Sequence, residues 1–208
     1  MAPTPKISPP RQPRAQATLV RVLEAAEAML AEGLFEDMTM ASLAERAGVA
    51  VGTIYTRFRT KEDLLPALFE RHNHAVVERV ATLQADLEQR TTMRERLTAV
   101  VRFAVQYHET HRGLLRALTH FVRAHPESAS AQVMAERQDQ YRGIATLVAG
   151  PRAGASRRAR IEFALGVVNS VCRDQILFRE VSVTGRERSA RTLEGRLLSL
   201  LLPSVTSR

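Results

Sequence analysis

The chain has 208 residues, 45% hydrophobic and 25% charged, a globular balance that supports a buried core. Its net charge of +8 fits a polyanionic partner, either nucleic acid or an anionic membrane. Its single cysteine, Cys172, excludes a disulfide framework and a cysteine-rich zinc site, and makes a reducing cytoplasm the expected compartment.

Residues 1–15 carry Pro3, Pro5, Pro9, Pro10 and Pro13 with Lys6, Arg11 and Arg14. This composition predicts a disordered basic arm, either a solvated tail or a DNA contact. With no apolar run, the start of the chain does not read as a signal peptide. The uncharged apolar stretches farther on are too short to span a bilayer.

Helical periodicity follows. Leu19, Val22, Leu23, Ala26, Met29 and Leu30 recur at steps of three and four, and Gly33 suits a left-handed end. Thr39 reads as the N-cap of a short helix bearing Leu43, Ala44 and Ala47, which Gly48 stops. A further short helix holds Gly52, Thr53, Ile54, Tyr55 and Phe58. Thr60 and Asp63 resemble a capping box opening a long helix that runs past Leu87. Apolar stripes then mark helices around 97–108, 114–121, 128–148 and 161–172, and a last one from Leu193 that ends at Pro203. No segment alternates as a strand.

The run from Met40 to Phe58 meets the steric demands of a helix-turn-helix. Two short helices that cross closely need a small residue at the crossing, and Ala44 is small. Four residues on, Gly48 takes a left-handed turn without a Cβ penalty. Val49 and Ile54 are spaced to pin the second helix on the first. Arg46, Arg57, Arg59 and Lys61 stand in this region with no acidic residue among them. Val51, Thr53, Tyr55, Thr56 and Arg57 are the positions left to face phosphates and base edges.

On these residues the chain resembles the TetR/AcrR family of transcriptional regulators. The matching run is Thr39-Met-Ala-Ser-Leu-Ala-Glu-Arg-Ala-Gly-Val-Ala-Val-Gly-Thr-Ile-Tyr-Thr-Arg-Phe-Arg-Thr-Lys-Glu-Asp-Leu64. It carries, in order, the family's opening Thr, its Ala-Gly-Val turn, its Gly-Thr-aliphatic-Tyr and its Thr-Lys-Glu-acidic-Leu. The resemblance implies an all-α fold of about nine helices. Residues 16–76 would be the DNA-binding domain, and 77–208 a larger domain for effector binding and dimerisation. It implies phosphate contacts from Thr39, Tyr55 and Lys61. It also implies a major-groove face of Val51, Gly52, Thr53, Thr56 and Arg57. Two positions depart from the pattern. Ala50 replaces the usual Ser or Thr cap, a loss of typically ~1 kcal/mol. Val51 replaces a polar residue and leaves only a thymine methyl to touch.

The family is dimeric through its last two helices, and its members are usually repressors released by a small molecule. The stripes Ile161, Leu165, Val168, Cys172 and Leu193, Leu197, Leu200, Leu201 fit that seam or their own subunit's core. Phe103, Tyr107, His108, His111, Phe121, Tyr141, Asn169 and Phe178 are candidate lining for an effector cavity, being aromatic or polar groups set in apolar patterns. His108 and His111 lack a third ligand, so no metal is expected. Cys172 reads as a core thiol. The phosphate-loop, dinucleotide, serine-hydrolase and zinc-protease motifs are absent, so neither an enzyme nor a cofactor is expected. The basic residues are mixed with acidic ones on most helices, which argues against a membrane-surface protein. An architectural DNA binder without an effector, or an activator, stays open.

Overall fold

The structure, a computed structural model, describes residues 13–33, 35, 37–178 and 189–206. Residues 1–12 of the expected arm lie outside this set. Among the described residues every regular element is helical: α1 Pro13–Ala31, α2 Met40–Ala47, α3 Val51–Tyr55, α4 Leu64–Gln89, α5 Met93–Thr110, α6 Arg112–Ala124, α7 Ala131–Ala149, α8 Ala155–Cys172 and α9 Ala190–Thr206. A 3-10 turn at Pro126–Ser128 precedes α7, and a π turn at Arg173–Leu177 prolongs α8.

The chain divides into two compact units, the first of residues 1–75 with 113–128, the second of 76–112 with 129–208. Residues 113–128 thus group with residues 1–75.

In the first unit, α1, α2, α3, the start of α4 and α6 share one core. Its fully buried side chains include Leu30, Leu43, Ile54, Phe58, Leu64 and Leu68, with Leu114, Leu118 and Phe121 entering from α6. Pro13 opens α1, where its missing N–H costs nothing, so the arm ends before the expected residue 15. Arg71 of α4 donates to Glu27 and Glu24 of α1 at 3.0 and 3.2 Å.

In the second unit, α5 packs against α7, α8 and α9, while α7 and α9 both pack on α8. Arg96 ties three carbonyls together, donating to Leu87, Arg90 and Leu147 at 3.2, 3.0 and 2.9 Å. It thereby ties the C-terminal end of α4 to the last turn of α7.

Three local expectations need correction. Helix α3 ends at Tyr55, and Phe58 lies just beyond it, its amide still donating to Ile54 at 3.0 Å. At residues 60–63 the carboxylate of Asp63 accepts from the Arg59 and Thr60 amides at 2.8 and 3.0 Å, and α4 starts at Leu64. Helix α9 does not end at Pro203 but runs through it to Thr206. Proline removes one donor there, yet Val205 is 1% exposed, and its burial holds the last turn. Of the two covers open for the α8 and α9 stripes, their own subunit buries Ile161, Leu165, Val168, Cys172, Leu193, Leu197 and Leu201, while Leu200 is 65% exposed.

Candidate nucleic-acid interface

The helix-turn-helix is built from its caps inward. The Thr39 hydroxyl oxygen accepts from the Ser42 amide at 3.0 Å, and the Ser42 hydroxyl oxygen accepts from the Thr39 amide at 3.0 Å. This reciprocal box satisfies two orphan donors of α2. At its other end Gly48 sits at φ 63°, ψ 42°, in the left-handed region. The turn brings the Val49 amide to the Ala44 carbonyl at 3.0 Å. Leu43, Ala44 and Ala47 of α2 and Ile54 and Phe58 after the turn are all buried, Ile54 to 2% exposure. The second helix is therefore pinned from one side.

Its other side is open. Val51 is 42% and Tyr55 53% exposed, and Gly52, Thr53 and Thr56 are exposed as well. Arg57 is half-buried. Ala50 provides no side-chain cap; instead the Thr53 amide donates to its carbonyl at 2.9 Å. The Thr56 hydroxyl donates back to the Thr53 carbonyl at 2.7 Å, which settles that side chain against its own helix.

The basic residues around the helix divide by their partners. Arg46 forms a two-pronged pair with Glu32. Its hydrogen bonds hold the Glu32 carboxyl below the usual carboxylate range. Lys61 donates to the Phe35 carbonyl at 2.8 Å and lies 5.1 Å from the Phe35 ring centroid. This anchor was not foreseen from sequence, where Lys61 was a phosphate contact alone. Arg14, assigned to the arm, lies instead in the first turn of α1. It lines a cavity of about 300 Å³ with Thr18, Thr53, Thr56 and Arg57. The spacing of Arg14, Thr18 and Val22 on one helical face was the signal for it.

The effector candidates are only partly gathered. On α5 the Tyr107 ring stacks on Phe103 (centroids 5.8 Å, 12° between planes), with His111 at 4.8 Å and His108 edge-on at 6.1 Å. The ring of His108 meets the Ala104 carbonyl through Nδ1 at 2.8 Å. Burial pushes both histidines down and pushes the Tyr107 and Tyr141 hydroxyls up. Phe121 belongs elsewhere, buried in the core of the first unit with its ring 6.2 Å from that of Phe69. Asn169 and Phe178 are half-buried, on α8 and just past its π turn. Among the described residues no group of three His, Cys, Asp or Glu could hold a metal ion, and no helix is long and apolar enough to cross a membrane.

Two short helices packed around Ala44, reversed at Gly48 and leaving one face of α3 exposed, give residues 39–58 the geometry of a helix-turn-helix. Residues 22–68 match the model of the bacterial regulatory proteins of the tetR family. Over this segment the chain is similar to the TetR family. It is 33% identical over 82 residues to the fatty acid metabolism regulator protein of Bacillus subtilis (strain 168). That match covers 39% of this chain and 41% of the relative, less than half of its length. The whole-chain fold is similar to a tetR-family regulatory protein from Rhodococcus RHA1. There the identity is 23%, the TM-score 0.59, and the coverage 92% of this chain and 98% of that one. It is also similar to the fatty acid degradation regulator FadR from Bacillus halodurans. There the identity is 19%, the TM-score 0.63, and the coverage 96% and 100%.

Proposed function

We propose that the chain is a transcriptional regulator that binds a palindromic DNA site as a homodimer and releases it when a small molecule occupies the C-terminal unit. The observation that carries this reading is the two-sidedness of α3: Ile54 is hidden and Val51, Thr53 and Tyr55 are open. Val51, Gly52, Thr53, Thr56 and Arg57 face the major groove, and Thr39, Tyr55 and Lys61 hold phosphates. Arg14, beside Arg57, adds a cation at the same edge.

Pairing of two chains is supported by the α8–α9 face. Phe163 is 76% exposed there, and with Leu200, Val167 and Ala159 it lines a groove of about 570 Å³. A two-fold pair places its recognition helices ~34–36 Å apart and so reads half-sites one DNA turn apart. An effector that prefers a different spacing must weaken DNA binding by linkage. Such a protein works in the cytoplasm, and its chemistry is binding alone.

The test is selection of duplexes from a random pool, followed by anisotropy titration. Enrichment of an inverted repeat bound by two chains, with affinity falling steeply with salt, is expected. A pool that yields no retained duplex at low salt would sink the proposal.

A further inference from the structure

We propose that the groove between α4 and α5 is a binding site for a small amphiphile with one anionic head, and that Arg79 recognises the head. This deepens the effector half of the proposed function and rests on it for its biological meaning, though not for its test.

The groove lies wholly within the second unit and has a volume of about 330 Å³, at the lower end of the range for small-molecule sites. Its floor is apolar: Leu83, which is buried, and Ala99 and Phe103, which are half-buried. Its rim carries three guanidinium groups, Arg79, Arg90 and Arg102, against one carboxylate, Asp86. Two of the three are already engaged. Arg90 is held by both oxygens of Asp86 at 2.8 and 3.0 Å. Arg102 is held by Glu194 at 3.0 and 3.1 Å.

Arg79 differs. Its guanidinium lies over the Tyr107 ring, 5.6 Å from the centroid, and among the described residues no carboxylate is paired with it. The Tyr107 ring and a hydrogen bond to its side chain hold the guanidinium in place, and no acidic side chain neutralises its charge. Tyr107 is itself braced by Phe103, whose ring forms part of the floor. A fixed cation thus stands at the end of an apolar trough. A carboxylate or phosphate on a short hydrocarbon tail satisfies both parts. A cationic amphiphile meets three guanidinium groups, and a neutral one leaves Arg79 without its partner.

The experiment is calorimetric titration of the full chain, without DNA, using octanoate, octyl phosphate, octanol and octyltrimethylammonium. Octanoate or octyl phosphate is expected to bind at least about tenfold more tightly than octanol, as one charge-assisted bidentate contact supplies that factor. The tighter of the two anions names the head group. The cation is expected not to bind. Arg79→Gln should bring the preferred anion down to the affinity of octanol, and Ala99→Phe, which fills the floor, should remove binding of both. Tyr107 emission gives a second readout, because the chain has three tyrosines and no tryptophan. Equal binding of octanoate, octyl phosphate and octanol, no binding of either anion, or an Arg79→Gln protein of unchanged melting temperature that keeps its anion preference would each overturn the inference. Because DNA is absent from the titration, a failure here is separate from a failure of the DNA-binding reading, which the anisotropy experiment alone decides.

Discussion

Gly113 and Leu30 meet backbone to backbone: a Cβ on Gly113 would stand 1.7 Å from the Leu30 carbonyl oxygen and 2.6 Å from its carbon. The first turn of α6 therefore rides directly on the last turn of α1. Main-chain atoms cannot step aside as a flexible side chain can, so the helices must separate to admit a methyl group. Gly113→Ala is expected to cost about 1–3 kcal/mol or more, as overpacking does, and to lower the melting temperature by several degrees. Gly195→Ala is the control. It lies in helix α9 with nothing within 4 Å of the new atom, and is expected to gain roughly 0.5–1 kcal/mol through helix propensity. A thermal melt of both proteins decides. Equal melting temperatures would show that the α1–α6 crossing is looser than described.

Gly48 makes the same kind of demand through its dihedral angles instead of through space. At φ +63° its nearest foreign atom is the Arg21 Nη1 at 3.9 Å, so room is not the obstacle. A Cβ there costs roughly 1–2 kcal/mol because it approaches the following carbonyl. Gly48→Ala should lose that much stability, and Gly48→Asn less, since asparagine tolerates the left-handed region. Denaturant titration should rank them Gly, Asn, Ala. Alanine at least as stable as asparagine would argue that the turn relaxes out of this conformation.

These positions explain what was legible in the sequence. The Thr39 cap, the small Ala44 and the turn at Gly48 obey rules that act within a few residues, so their spelling suffices. Burial stripes are a different matter. Leu165, Val168, Leu197 and Leu201 announced a buried face, but periodicity cannot say whether the cover is the same subunit or another. The structure covers them from within and leaves Phe163 and Leu200 outside. Pro203 misled for a related reason: the local cost of a proline is fixed, but the burial of Val205 that offsets it is tertiary. Arg79 and Lys61 each meet an aromatic partner distant in sequence. Only the fold shows one over Tyr107 and the other over Phe35.

That last distinction bears on DNA binding. Tyr55 is exposed, so Tyr55→Phe should weaken binding to every duplex by the worth of one hydrogen bond, ~0.5–1.5 kcal/mol, with the melting temperature and salt slope unchanged. Lys61→Ala should weaken binding and also lower the melting temperature, because it deletes the tie to the Phe35 carbonyl. Arg57→Ala should relax preference among sequences, whereas loss of the phosphate contact in Lys61→Ala should reduce the salt slope by about one. Anisotropy titrations at several salt concentrations, paired with melts, separate the three. A Lys61→Ala protein with an unchanged melting temperature would mean the Phe35 tie adds nothing to the fold.

Cys172 supplies a pH test that is independent of any ligand. It is 0% exposed, and burial pushes its thiol up to about 12. The folded state therefore holds the thiol proton more tightly than the unfolded chain, whose cysteine titrates near ~8.5. As pH rises through the unfolded value, only the unfolded state gains by losing the proton, so folding weakens with increasing pH until the folded thiol also ionises. The cysteine's share of stability is thus whole below about pH 8.5 and is lost between there and about 12. Cys172→Ala should flatten that part of the stability–pH curve while costing stability at neutral pH through the space it leaves. The same burial makes the thiol inert: iodoacetamide at pH 8 should leave native protein unlabelled and label it fully in denaturant. Rapid labelling of the native state, with the melting temperature unchanged by the reagent, would place Cys172 at the surface and remove the basis of the pH prediction.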